Sequence, residues 1–281
     1  MDSSRPLADA PDRSYARKLG LFADFAAPEL REVLAGLARD ARGPDVTRTP
    51  RVLDVGCGIG ATAGLLAELL GRDALVVGID LSLPHLRVAS GITNAVFVQA
   101  DAASICFREA TVDLIWTCNT INHLRDPVGA LRVLKKLLAP GGRIVLAQSG
   151  LLPEMYFAWD APLDDAVRRA CHEYYRDRYG LNPRDTAGMR GLVRLANEAE
   201  LTVRCVRTIA IERIQPLTTA DRLYFEEAIF AGTWGERIHA WLSADEHERL
   251  ARFCTPGSPD YCLDRADFHH VQTLTLCECR G

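Results

Sequence analysis

The stretch VLDVGCGIGA, residues 52–61, carries glycines at a spacing that favours nucleotide binding. Gly56, Gly58 and Ala61 satisfy the G-x-G-x-x-G/A spacing of loops that bind dinucleotides. Gly56, Gly58 and Gly60 equally satisfy the tighter G-x-G-x-G spacing of another class of cofactor loop. Glycine spacing by itself therefore leaves the identity of the nucleotide open.

A carboxylate beside the loop separates these alternatives by charge. Asp54 lies two residues before Gly56, at the carboxyl end of the predicted strand. A dinucleotide brings a pyrophosphate to the N-terminus of the following helix, where backbone N–H groups and the helix dipole bind negative charge. A carboxylate at this point would repel that pyrophosphate and would attract an ammonium or sulfonium group. The local charge therefore favours a cationic ligand.

Polar residues that end later strands are candidates for the same cleft. Asp80 ends the second predicted strand, and its carboxylate is placed to accept both hydroxyls of a ribose. Asp101 is able to accept the exocyclic amino group of an adenine, or simply to cap the following helix. Asn119 ends the fourth strand. Since ligands bind at the carboxyl ends of parallel strands, these side chains are expected to line one crevice.

These residues require a sheet that brings strand ends together, and hydrophobic patterning predicts one. Short apolar runs predict strands at 51–56, 74–80, 95–101, 112–119, 142–150, 201–214 and 269–280. Helical periodicity predicts helices at 14–41 (with Pro28 opening a second helix), 60–71, 126–142 and 185–200. Asp126 is the expected N-cap of the helix that starts there. This alternation predicts an α/β fold with a doubly wound, mostly parallel, Rossmann-like sheet.

The motifs VLDVGCGIG, GIDLS, QADA, DLIWTCNTINHL and LKKLLAPGGRIVLAQSG follow one another within residues 51–150, about a third of the chain. In this order and spacing they resemble the motifs of class I S-adenosylmethionine-dependent methyltransferases. The set is more specific than a glycine loop alone. The resemblance implies a seven-stranded sheet whose last strand, HHVQTLTLCECR, is antiparallel. It also implies S-adenosylmethionine as cofactor and S-adenosylhomocysteine as product.

The resemblance further assigns residues to a cofactor cleft. It implies contacts from Asp54, Gly56, Cys57, Gly58, Gly60, Asp80, Leu81, Asp101, Ala102 and Asn119. Asp54 is expected to position the loop and the cationic end of the cofactor. Cys57 is interpreted as a small loop side chain rather than as a nucleophile. Tyr15 is a candidate to cover the cofactor from the N-terminal segment, although a plain surface tyrosine explains it equally well.

Methyl transfer from a sulfonium is an in-line displacement, so the protein mainly aligns the acceptor with the methyl group and excludes water. An acceptor that starts protonated benefits from a general base. His123, just after the fourth strand, lies nearest the expected methyl group and is the catalytic candidate. A structural role in the loop accounts for a histidine there as well. Alternative bases are His172, Glu173, His239, His269 and His270.

Three segments are expected: an N-terminal helical segment at 1–50, a cofactor-binding core at 51–150, and residues 151–281, which complete the sheet. The last segment carries insertions at 152–185 and 216–268, which hold 14 of the 20 aromatic residues. They predict a helical lid over an enclosed apolar pocket, although packing alone also explains aromatic residues at helical spacing. Such a pocket favours a small organic acceptor from natural-product or other metabolism, methylated at oxygen or nitrogen. Carbon methylation, a non-catalytic cofactor-binding protein and a nicotinamide dehydrogenase remain alternatives.

Composition narrows the choice of partners and compartment. The net charge of -4 gives no basic field for a nucleic acid. No apolar run approaches a membrane span and the first residues lack a secretory signal, so a cytoplasmic protein without a membrane partner is expected. Nine cysteines include no C-x-x-C pair, which predicts reduced thiols and no metal site. A homodimer is compatible with these properties.

Overall fold

The structure is a computed structural model that describes residues 13–42, 49–150, 161–179 and 188–281. The chain forms two compact units. The first comprises Met1–Gln148, Arg190–Thr208 and Thr275–Gly281, and the second comprises Ser149–Met189 and Ile209–Leu274. Within the described residues, no helix is long and apolar enough to cross a membrane.

The described strands and helices alternate over only part of the chain. The strands are β1 Arg51–Val55, β2 Leu75–Asp80, β3 Val96–Gln99, β4 Val112–Cys118, β5 Leu138–Ser149, β6 Thr202–Ile214 and β7 His269–Arg280. The α-helices are α1 Arg13–Phe25, α2 Ala27–Arg42, α3 Ala61–Leu70, α4 Leu83–Ala89, α5 Pro127–Leu137, α6 Ala161–Tyr179, α7 Gly188–Glu198, α8 Thr219–Leu223 and α9 Ala244–Cys254. A π-helix spans Tyr224–Ile238, and single 3₁₀ turns lie at Ile121–His123, His239–Trp241 and Cys262–Asp264.

The strands form one seven-stranded sheet in the order β3-β2-β1-β4-β5-β7-β6. The pairs β1–β2, β1–β4, β2–β3 and β4–β5 are parallel. Arg143 of β5 bonds to Glu278, whereas Gly150, just after β5, bonds to Thr273. Because the partner number falls as the β5 number rises, β7 runs antiparallel to β5. The predicted doubly wound sheet with an antiparallel last strand is confirmed.

The core of the first unit shows which side chains of β1 face α5 and α7. Leu53 and Val55 belong to a buried cluster with residues of α5 and α7, including Leu134 and Leu192. Side chains alternate along a strand, so Asp54 points to the opposite face of the sheet. Burying each leucine of this cluster contributes about 1.5 to 3 kcal/mol. Apolar burial therefore fixes the register of β1 and with it the direction of Asp54.

Most predicted elements are confirmed, with one boundary corrected and one helix missed. Asp126 caps α5 by accepting a 2.8 Å hydrogen bond from the backbone N–H of Gly129. However, α5 ends at Leu137 rather than at Gly142, because Leu138 is already extended and pairs with Val112. Sequence analysis missed α4, although the Ser82 hydroxyl that caps it and the proline in its first turn are signals for a helix start.

The second unit has an aromatic core of its own. Tyr224, Phe225, Phe230 and Trp234 are all buried. The Phe225 ring lies 5.7 Å from that of Tyr224 and 6.4 Å from that of Phe230, which in turn stacks on Trp234 at 5.5 Å. These four rings therefore pack within their own unit. The predicted lid over the cofactor remains a prediction, and residues 152–160 and 180–185 of the first insertion lie outside the described residues.

Candidate cofactor-binding site

The glycine loop after β1 is shaped by the protein that surrounds it. The backbone N–H groups of Gly56 and Cys57 donate to the carbonyl of Ile79 at 2.8 and 2.9 Å, which ties the loop to β2. Gly56 and Gly60 have φ angles of +71° and +82°, a region that favours glycine. A Cβ on Gly60 would lie 2.6 Å from the Phe97 ring. Both the conformation and the packing of the loop therefore require glycine.

Asp80 holds the loop from the end of β2. One carboxylate oxygen accepts a 2.8 Å hydrogen bond from the N–H of Gly58, and the other accepts one of 2.8 Å from the N–H of Ser82. Burial raises the pKa of Asp80, but the His85 imidazole and these two N–H groups outweigh burial and leave the pKa below its usual value. Asp80 is therefore an ionised acceptor at the carboxyl edge of the sheet, as a ribose-binding residue requires.

Asp54 lies deeper than sequence analysis expected. Its side chain is within β1 and only 2% exposed. Burial, together with the negative charge of Asp80, raises the pKa of Asp54 to about 7, although the backbone N–H of Ala63 opposes the shift. The Oδ2 atom has no hydrogen-bond partner among the described residues. A buried carboxylate oxygen without a donor fits a ligand that supplies an ammonium group and does not fit a phosphate.

The other predicted cleft residues differ in exposure. Asn119 adopts a φ of +53° and accepts a 3.0 Å hydrogen bond from the side chain of Gln148. Asp101 is exposed and accepts from the N–H of Ala103 at 2.9 Å within a turn. No helix lies between β3 and β4 among the described residues, so the predicted helix cap is wrong, while the role of Asp101 in binding adenine stays a prediction. Leu81 is 63% exposed, whereas Ala102 is buried.

Cys57 faces the interior of the first unit. A Cβ on Gly78 would lie 2.9 Å from its sulfur, so the thiol packs over β2. Burial, followed by the charges of Asp54 and Asp80, raises the pKa of the Cys57 thiol far above its usual value. The thiol therefore stays protonated and is no nucleophile, which agrees with its interpretation as a small loop side chain.

His123 closes the 3₁₀ turn that follows β4, in the same unit as the glycine loop. It is half-buried, and its backbone N–H donates to the carbonyl of Thr120 at 2.9 Å. The alternative bases lie in the second unit. There His270 is fully buried, and burial and then the charge of Arg213 lower its pKa to about 3, so it is neutral. His269 contacts Glu212 at 2.6 Å on the surface.

Sequence analysis missed the residues that support the loop and Asp80. Thr120 lies against Gly56, and Leu19 of α1 lies against Gly58. His85 of α4 is buried, with its Nδ1 atom 3.9 Å from Asp80. The predicted cofactor cover, Tyr15, stacks on His85 with ring centroids 5.9 Å apart and an interplanar angle of 25°. Residue spacing does not predict these contacts, because they join elements that are distant in the sequence.

Part of the chain is similar to known methyltransferases. A family described as "Methyltransferase domain" matches residues 53–146. The chain is 30% identical over 161 residues to malonyl-[acyl-carrier protein] O-methyltransferase of Marinomonas sp. (strain MWYL1), covering 55% of this chain and 56% of that protein. It is 31% identical over 110 residues to 27-O-demethylrifamycin SV methyltransferase of Amycolatopsis mediterranei (strain S699), covering 37% and 40%. It is also 38% identical over 108 residues to phosphoethanolamine N-methyltransferase of Triticum aestivum, covering 37% and 21%.

Among solved structures, the YcgJ protein of Bacillus subtilis superposes with a TM-score of 0.50 at 18% identity, covering 89% of this chain and 99% of that one. This likeness shows the fold alone. The chain spans about half the length of the first curated relative, and the matched segment holds the glycine loop, Asp80, Asn119 and His123. Residues 53–146, which hold the candidate cofactor site, therefore match a methyltransferase domain.

Proposed function

We propose that this protein transfers a methyl group from S-adenosylmethionine to an oxygen or nitrogen of a small organic acceptor. The observation that carries the proposal is the buried carboxylate of Asp54, whose Oδ2 atom lacks a donor among the described residues. S-adenosylmethionine supplies an ammonium group to such a buried carboxylate, whereas a nicotinamide dinucleotide brings a pyrophosphate to the same loop. The charge at the loop therefore supports the sulfonium cofactor.

The described residues have distinct roles in this proposal. Asp54 takes the amino-acid end of the cofactor, Asp80 accepts the ribose hydroxyls, and the exposed Leu81 borders the adenine. Asn119, held by Gln148, lines the cleft at the end of β4. The cofactor, when bound, supplies an electrophilic methyl group on its sulfonium sulfur.

His123 accepts the proton that leaves the acceptor oxygen or nitrogen as the methyl group is transferred. The names of the relatives include both O- and N-methyltransferases, which supports methylation at a heteroatom and leaves the choice between the two to experiment. The aromatic residues of the two insertions support a small apolar acceptor, in agreement with the sequence expectation.

Calorimetric titration with S-adenosylhomocysteine and with NAD tests the choice of cofactor. We expect saturable binding of S-adenosylhomocysteine and none of NAD. Asp80→Ala should weaken S-adenosylhomocysteine binding by about 1 to 3 kcal/mol, since it removes charge-assisted hydrogen bonds. Asp267→Ala, an exposed carboxylate of the second unit, is the control and should leave binding unchanged. Binding of NAD in preference to S-adenosylhomocysteine would contradict the proposal.

Turnover tests the catalytic part. The protein is incubated with S-adenosylmethionine and pools of small hydroxylated and amine metabolites, and S-adenosylhomocysteine is measured by mass spectrometry. A mass increase of one methyl group on an acceptor identifies the substrate, and fragmentation locates the methylated atom. Binding of the cofactor without turnover on any pool would favour a non-catalytic role.

A further inference from the structure

We propose that His85 is a positioning residue for cofactor binding, because its imidazole, held under the ring of Tyr15, keeps the Asp80 carboxylate oriented to accept the ribose hydroxyls. This inference rests on the proposed function, since it concerns the carboxylate that the cofactor would use. His85 would act through Asp80 and would not touch the reacting atoms.

The position of His85 is costly for a purely structural residue. The residue is only 7% exposed, and its Nε2 atom has no hydrogen-bond partner among the described residues. A buried polar atom without a partner costs about 1 to 3 kcal/mol. The neighbouring buried positions of α4, Leu86 and Ala89, are apolar and fill the same interface without that cost. The polarity of His85 therefore needs an explanation outside packing.

The carboxylate of Asp80 provides that explanation. The Nδ1 atom of His85 lies 3.9 Å from Oδ1 of Asp80, within reach of an electrostatic interaction. Oδ1 already accepts from Ser82 N–H, and Oδ2 accepts from Gly58 N–H. The Nδ1 atom of His85 is thus a third protein nitrogen beside the carboxylate, next to the two backbone N–H donors. An ionised carboxylate has about four lone-pair sites, so Asp80 held by these groups keeps acceptor capacity for the ribose hydroxyls.

Tyr15 restrains the imidazole by stacking on it. Its ring is stacked on His85 at 5.9 Å and 25°, an offset arrangement that favours aromatic pairs. Leu19, one turn further along the same helix, packs against the glycine loop at Gly58. Helix α1 therefore contacts both the loop and the side chain that orients Asp80. Tyr15 would support cofactor binding through His85.

The test uses the full chain and S-adenosylhomocysteine titrations of three substitutions at His85. His85→Leu removes both ring nitrogens and should weaken binding about 3- to 10-fold. His85→Asn keeps an N–H donor near the Nδ1 position and should bind within about twofold of the unsubstituted protein, whereas His85→Gln places its amide near the Nε2 position and should resemble Leu. Val88→Ala, an exposed position of the same helix, is the matched control.

A double-mutant cycle distinguishes positioning from a merely structural role. In an Asp80→Asn background, His85→Leu should no longer change the dissociation constant. In the unsubstituted background, it should raise KM for the cofactor without lowering kcat. Tyr15→Phe keeps the stack and should bind normally, while Tyr15→Leu should weaken binding and not add to the effect of His85→Leu.

Normal binding of S-adenosylhomocysteine by His85→Leu would overturn the inference. Equal weakening of binding by His85→Leu and His85→Asn would also overturn it. So would a loss of affinity from His85→Leu that is the same in the Asp80→Asn background as in the unsubstituted protein. If His85→Leu does not fold, the affinities of His85→Asn and His85→Gln are compared instead. Equal affinities of these two variants for S-adenosylhomocysteine would then overturn the inference. Failure of the unsubstituted protein to bind S-adenosylhomocysteine would overturn the proposed function itself. Normal binding by the unsubstituted protein and by His85→Leu would overturn only the role of His85.

Discussion

The side chain of Thr120 fills the space in which a Cβ on Gly56 would lie: that atom would be 2.2 Å from Oγ1 and 2.4 Å from Cγ2. The Thr120 hydroxyl shares its one proton between the carbonyls of Val55 and Cys118, at 3.2 and 3.0 Å. The glycine loop after β1 is therefore joined to the segment that follows β4. This contact links the expected cofactor loop to the turn that carries His123.

Gly56→Ala should destabilise the protein and weaken S-adenosylhomocysteine binding. The new Cβ collides with Thr120, which adds about 1 to 3 kcal/mol of overpacking to the strain of a positive φ. Gly141→Ala is the matched control, because Gly141 has a φ of +80° but no atom within 4 Å of a new Cβ. Chemical denaturation should show the larger loss for Gly56→Ala, and adding Thr120→Ala should recover part of it. Equal losses for both alanines would contradict the steric argument.

Cofactor affinity should rise with pH through the titration of Asp54. Its pKa of about 7 in the free protein means that the carboxyl is partly protonated near neutrality. A cationic ligand favours the ionised form, so binding below this pKa must release a proton. Titrations with S-adenosylhomocysteine from about pH 5.5 to about pH 8 should show tightening and then a plateau. Asp54→Asn should bind weakly and remove the pH dependence, and a pH-independent affinity in the unsubstituted protein would contradict this role.

The same shift predicts the effect of Asp54 on folding. The pKa is raised from its ordinary 3.8 to about 7, so the folded state binds more protons than the unfolded state between these values. Stability contributed by protonated Asp54 is complete at acidic pH and is lost as pH rises towards 7. Asp54→Asn should therefore raise the melting temperature of the ligand-free protein most at alkaline pH. The difference between the two proteins should shrink on acidification.

His123 should affect the chemical step and not cofactor binding. If it accepts the acceptor's proton, His123→Ala should lower kcat about 10²- to 10⁴-fold, while the dissociation constant of S-adenosylhomocysteine changes little. His172→Ala, an exposed histidine of the second unit, is the control. Rates are measured once an acceptor is identified. A loss of activity in His172→Ala with normal activity in His123→Ala would assign the base to the second unit.

Within the second unit, Arg213 and Asp221 form a buried ion pair at 2.7 Å, with side chains 13% and 7% exposed. Arg213→Met should cost about 3 to 5 kcal/mol of unfolding free energy, because it leaves a carboxylate buried without its partner. The exposed pair of Arg265 and Asp267, at 2.8 Å, is the control. Arg265→Met should cost less than about 1 kcal/mol. Similar losses in denaturation experiments would show that the buried pair has no special role.

The strands and the helices around the sheet were predictable because their periodicity is local. Asp126 and Pro127 indicated the start of α5, and the β-branched run before Asp80 indicated β2. The depth of Asp54 was not predictable in this way, since it depends on α3 packing over β1. The proposed role of His85 was not predictable either, because it depends on the packing of α4 beside α1 and β2. Residues that support a site are set by contacts between elements, and a single sequence does not record those contacts.

The packing of the glycine loop has a consequence for how such loops are compared. Thr120, Leu19 and Phe97 each block the place of a side chain on Gly56, Gly58 and Gly60. A descendant that had ceased to bind any nucleotide would still need these glycines in order to fold. Folding does not require Asp54 in this way, because replacing its buried carboxyl with a neutral amide should favour folding. Loss of Asp54, rather than loss of a glycine, would therefore be the first sign that a descendant no longer binds the cofactor.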